Sequence, residues 1–112
     1  MKRLGNPMIG LQTVYEGGVV AGLTDAQLLE RFARGDGEGA TAAFAVLVER
    51  HGPMVMRVCR ASIGDQHDAE DAFQAVFLEL ARRARSVWAR DSLAPWLHVV
   101  ARRTSTRVRT RN

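Results

Sequence analysis

GDQHDAEDAFQAVFLELARR, residues 64–83, decides the fold. Ala69, Ala72, Phe73, Val76, Phe77, Leu80 and Ala84 recur three and four apart, which is one stripe of an amphipathic helix. Acids crowd the first turns at Asp65, Asp68, Glu70 and Asp71, and Arg82, Arg83 and Arg85 close the last one. That placement suits the helix dipole at both ends. A short loop, SVWARD (86–91), separates it from SLAPWLHVVARRTSTRVRTRN (92–112). Asp91 or Ser92 can cap this second helix, with Pro95 tolerated in its first turn. Its apolar face is Leu93, Trp96, Leu97, Val100, Thr104 and Val108. His98, Arg102, Ser105 and Arg109 are predicted to point the opposite way, with Arg103 and Arg107 flanking the apolar stripe.

Upstream, Thr24 or Asp25 can cap DAQLLERFARG (25–35), which Gly35 stops. GDGEGAT (35–41) reads as a loop because its glycines disfavour a continuous helix. Phe44, Leu47, Val48, His51, Val55, Val58, Cys59 and Ile63 then fall on one helical face. Gly52 and Pro53 lie inside that stretch, so a kink or brief break is expected there, and Gly64 ends it. Residues 1–23 are Gly-rich and lack periodicity, which predicts a flexible leader. No alternating strand pattern and no repeat period occurs. The expected fold is therefore all-α: a flexible N-terminal leader (1–23) and a compact bundle of about four helices (24–112).

The chain has 112 residues, enough for one domain with a modest core. Hydrophobic residues make up 46% and aromatics only 6%, which favours a core of Leu, Val, Ala and Met. The formal net charge of +4 suggests an anionic partner. Five arginines and no acid lie between Arg102 and Arg111. One cysteine, Cys59, excludes an internal disulfide framework and a thiolate metal cluster, and fits a reducing, cytoplasmic compartment. No apolar run approaches the ~20 residues of a membrane span. Asn6, Pro7, Gln12 and Glu16 interrupt any signal-peptide core.

Catalysis finds no candidate: His51, His67 and His98 are scattered, and no acid–base pair has useful spacing. His67, Asp68, Glu70 and Asp71 share a helical turn but point several ways, so they read as a solvated, dipole-matched start rather than a metal site. No metal and no cofactor is expected. His51 reads as a satisfied core histidine and Cys59 as a small buried hydrophobe. The arginine run has two readings. It is either a solvated basic helix end or a nucleic-acid surface. Arginines rather than lysines suit bidentate phosphate and guanine contacts, and Thr104, Ser105, Thr106 and Thr110 are hydroxyls that also reach phosphates. Trp88, beside Arg90, either stacks on an unpaired base or folds back as a lid on the core. Trp96 reads as core. In residues 64–83, Gln74, Leu78 and Glu79 fall off the apolar seam, and an exposed Leu beside Gln and acids forms a candidate docking strip.

Four stretches carry a family resemblance: DAQLLERFARG (25–35), AAFAVLVERHGPMVMRVCR (42–60), DAEDAFQAVF (68–77) and PWLHVVARRT (95–104). Together they resemble region two of the extracytoplasmic-function group of bacterial sigma factors. The resemblance implies a helical, non-enzymatic specificity domain. Asp68, Asp71, Gln74 and Leu78 would dock on the clamp coiled-coil of the largest subunit of core RNA polymerase. Trp88, Arg90, His98, Arg102, Arg103, Ser105 and Arg109 would bind the minus-ten promoter element, on the opened non-template strand. An anti-sigma factor is a further candidate partner. The chain departs from the family pattern at Ala75, where many relatives have Glu, and at Arg103, where many have Asn. Pro95 and Trp96 stand where primary sigma factors carry paired aromatics. The family's second promoter-binding domain, region four, is missing from the sequence. The chain is thus expected to be an excised piece that does not direct full initiation alone. The competing expectation is a helical protein-interaction module that binds no DNA and has a solubilising basic tail.

Overall fold

The computed structural model describes residues 22–35, 37–87 and 92–111. Four helices follow one another: α1 (Asp25–Arg34), α2 (Gly37–Ser62), α3 (Gln66–Arg82) and α4 (Ala94–Arg111). No strand occurs among the described residues. The all-α expectation holds. The long α2 is the centre of the packing, touching α1, α3 and α4, while α3 and α4 also pack on each other.

Each helix begins where local chemistry lets it. Thr24 forms a capping box on α1, with Oγ1 accepting from Gln27 N and Gln27 Oε1 accepting from Thr24 N. Gly35 closes that helix in the left-handed region at φ 70°, which a side chain would resist. Asp65 caps α3 by accepting from His67 N at 2.8 Å.

The core is a seam of small and branched residues. Leu28, Leu47, Val55, Val76, Leu80, Leu93 and Leu97 are fully buried. The four phenylalanines line up across three helices. Phe32 meets Phe44 at 4.7 Å, Phe44 meets Phe77 edge-on at 6.3 Å, and Phe77 meets Phe73 at 5.1 Å. Phe77 is buried, whereas Phe73, on the same stripe, is only half-buried. Its ring lies over Gly52, where an added Cβ would come within 3.5 Å of it.

Two features of α2 differ from the sequence reading. Helix resumes at Gly37, so the expected loop over 35–41 is confined to its first two residues. Glu38 at a dipole-favoured position and the Ala-rich run 40–45 offset the glycines. Helix α2 also runs unbroken through Pro53. Pro53 and Glu49 are both exposed, so water can serve the Glu49 carbonyl that loses its donor. Residues 1–21 of the expected leader lie outside the described residues. Its last residue, Leu23, is half-buried against the core and its carbonyl accepts from Arg50 Nη2 at 3.0 Å.

Candidate polymerase and nucleic-acid interfaces

On α4, Leu97, Val100, Ala101, Thr104, Ser105 and Val108 face inward. His98, Val99, Arg102, Arg103, Thr106, Arg107, Arg109 and Arg111 are exposed. At 3.6 residues per turn, Val99 and Thr106 lie at the middle of this outer face. Arg102 and Arg109 lie to one side of them and Arg103 to the other. Val99 is 57% exposed, an apolar spot among arginines. Arg102, Arg103, Thr106 and Arg107 line a shallow concavity of about 410 Å³. Among the described residues, Arg102, Arg103, Arg109 and Arg111 make no ion pair. Their charge is open to an anion.

One expected DNA contact is corrected. Ser105 is fully buried and cannot reach a strand. It sits at the edge of the inward stripe, where periodicity alone does not settle the side, and packing against α2 covers it. Its Oγ meets no partner at full hydrogen-bond geometry, but it interacts weakly with the Cys59 thiol of α2. Burial pushes the Cys59 thiol up from its ordinary value, an effect that Ser105 only partly offsets. Trp88 and Arg90 lie outside the described residues, as does Asp91.

The outer face of α3 is different. Asp71, Gln74 and Leu78 are exposed, with Leu78 at 59%, and Asp68 is half-buried. Gln74 and Leu78 form one edge of an apolar groove of about 260 Å³, completed by Phe44, Val48, Phe73, Phe77 and Ala81. Further along, the helix neutralises its own cations: Glu79 bonds Arg82 at 3.0 Å and Arg83 at 2.6 Å. The Arg82 hydrogen bond, followed by the two positive charges, holds the Glu79 carboxyl below its usual range.

The sequence reading overlooked a buried node at Asp25, which is 3% exposed. Arg50 Nη1 donates to its Oδ1 at 2.8 Å. Its Oδ2 lies 2.7 Å from His51 Nε2 and accepts from Leu93 N at 2.6 Å. Burial alone would push this carboxyl up. The Leu93 N–H, Arg50 and His51 together more than reverse that and hold it below its ordinary value. No local signal marked it in the sequence, because an acid in the first turn of α1 is already accounted for by the helix dipole.

Among the described residues no group of three or more His, Cys, Asp or Glu could hold a metal, and no helix is long and apolar enough to cross a membrane. The sigma-70 region 2 family matches residues 47–112. The chain belongs to that family. Comparison with curated proteins and with solved structures gave no match. A sigma-70 region 2 domain acts in transcription initiation, in promoter recognition and RNA polymerase binding, and is not an enzyme. The match spans α2 from Leu47 onward and all of α3 and α4, the two helices that carry both outer faces. Helix α1, with Asp25, lies before it.

Proposed function

We propose that the two outer faces divide the work of this region 2 domain. The strip Asp71, Gln74 and Leu78 of α3, with Asp68 at its edge, docks on the clamp coiled-coil of the polymerase's largest subunit. The α4 face of His98, Arg102, Arg103 and Arg109 tracks the opened non-template strand of the minus-ten element, with Trp88 and Arg90 just before the helix contacting a base. The observation that carries this division is the state of the arginines. Those ending α3 are spent on Glu79, whereas those on α4 make no ion pair among the described residues. Phosphate contacts from arginine position a strand, and base contacts select it. An assignment to the extracytoplasmic-function group, and a cytoplasmic site of action, belong to the same proposal. They are supported by the DAEDAFQAVF and PWLHVVARRT motifs.

Fluorescence anisotropy with short single strands at several salt concentrations tests the DNA half. Binding should weaken steeply with salt, as expected when cations displace counterions from phosphates. A chain with no DNA signal at any salt leaves the protein-interaction module with a solubilising basic tail as the better reading.

A further inference from the structure

Helix α4 begins in an unusual way. Its first helical bond runs from Leu97 N to Leu93 O at 2.9 Å, so Leu93 stands at the cap position. Leu93 is fully buried and has no side-chain oxygen to offer the helix. Ser92 Oγ takes the Ala94 N–H at 3.0 Å. The Leu93 N–H, which would otherwise be buried without a partner, is taken by the Asp25 carboxylate, 68 residues earlier in the chain. A carboxylate there is also favoured by the positive end of the helix dipole.

The carboxylate is itself held in place. Arg50 binds its other oxygen and also the Leu23 carbonyl, and His51 shares the oxygen that Leu93 uses. Residues of α1, of the middle of α2 and of the start of α4 thus meet at one charge. Both oxygens are occupied, which fixes the direction as well as the distance of the α4 amino end. Helix α4 is 18 residues long, about 27 Å. A small change of angle at Leu93 therefore moves His98 and Arg102, and Arg109 most of all, relative to α3.

We infer that Asp25 is a positioning residue for DNA recognition: by holding the Leu93 N–H in a carboxylate clamped by Arg50 and His51, it aims the outer face of α4. The inference rests on the assignment of that face to promoter DNA. Asp25 touches no strand itself. It acts through the direction of a helix whose own hydrogen bonds do not depend on it. Its loss therefore leaves the number of arginine–phosphate contacts unchanged but misplaces the amino end of α4 and His98, the part of the face next to the base contacts.

The test uses the full chain with Asp25→Ala and Asp25→Asn, at a temperature where circular dichroism shows each variant folded. Anisotropy is read with a minus-ten non-template strand and a scrambled strand of equal length, across a salt series. Retention on the isolated clamp coiled-coil is the control. The expected result is a salt slope and a clamp retention like the wild type's. The preference for the minus-ten strand should fall about tenfold in Asp25→Ala, the discrimination carried by roughly one base contact. It should fall less in Asp25→Asn, which keeps an oxygen for Leu93 and is the variant to rely on if Asp25→Ala does not fold. A folded variant that discriminates as well as the wild type overturns the positioning role alone. A wild-type chain that binds both strands alike overturns this inference alone, and one that binds neither at any salt overturns the DNA assignment of α4 and this inference with it.

Discussion

Helices α3 and α4 are built alike on the inside and oppositely at their starts and on their outer faces. Each sends a stripe of Ala, Val and Leu into the same core. Yet α3 is capped by its own neighbour, Asp65, and pairs its last arginines with its own Glu79. Helix α4 takes its anchoring carboxylate from α1 and leaves its arginines unpaired among the described residues. The lesson is one of self-sufficiency. Charge neutralised within a helix contributes local order and little else, whereas charge left open, on a helix aimed by a distant residue, is available to a partner.

The shared interior is the first thing to break. Phe77 is 5% exposed and meets both Phe44 and Phe73, while its neighbour Leu78 is 59% exposed. Phe77→Ala should cost ~3–5 kcal/mol in a thermal melt. Leu78→Ala should stay within ~0.5 kcal/mol. Equal losses would mean that the two faces of α3 had been assigned wrongly.

The contrast between local and distant anchors comes next. Asp25→Ala removes the carboxylate partner of Arg50 and leaves the buried His51 ring and Leu93 N–H without theirs. It should cost about 3 kcal/mol, the low end for a broken buried pair because the Arg50 side chain keeps 32% exposure. Asp65→Ala removes only a surface cap and should cost about 1 kcal/mol. The sign of the acid dependence follows from the lowered carboxyl of Asp25. Its contribution is fully present above the ordinary value of 3.8 and is lost as the pH falls through the lower value of the folded state. Melting temperature should therefore drop more steeply in this acid range for the wild type than for Asp25→Asn. Parallel acid profiles would show that the Asp25 charge contributes nothing to the fold.

The outer faces give smaller effects on stability. Arg102→Ala should reduce affinity for all single strands alike and make the salt slope shallower by roughly one unit. An unchanged affinity and slope would take the outer face of α4 out of the DNA track. The least effect on folding belongs to Asp71→Lys, whose exposed charge contributes within ~0.5 kcal/mol. Retention on the clamp coiled-coil should nevertheless fall. Equal retention of the two chains would remove α3 from that interface and end the proposed division of labour.

What the sequence by itself determined is what repeats or acts over a few residues. The stripe of α3, a cap at Thr24 or Asp25, the stop at Gly35 and the exposure of Asp71, Gln74, His98 and Arg102 were all legible from spacing and turn chemistry. So was the satisfied core histidine, His51, although its partner was not. Tertiary structure decided the rest, because those outcomes depend on neighbours that are remote in the chain. Ser105 lies at the edge of a stripe, and only the covering by α2 made it core rather than surface. Pro53 is tolerated because its side of α2 meets water. Asp25 looked like one of two possible caps for α1. Once folding brought Arg50, His51 and the bare N–H of Leu93 within hydrogen-bond distance, burying the charge there became less costly than leaving the His51 ring and the Leu93 N–H unpartnered.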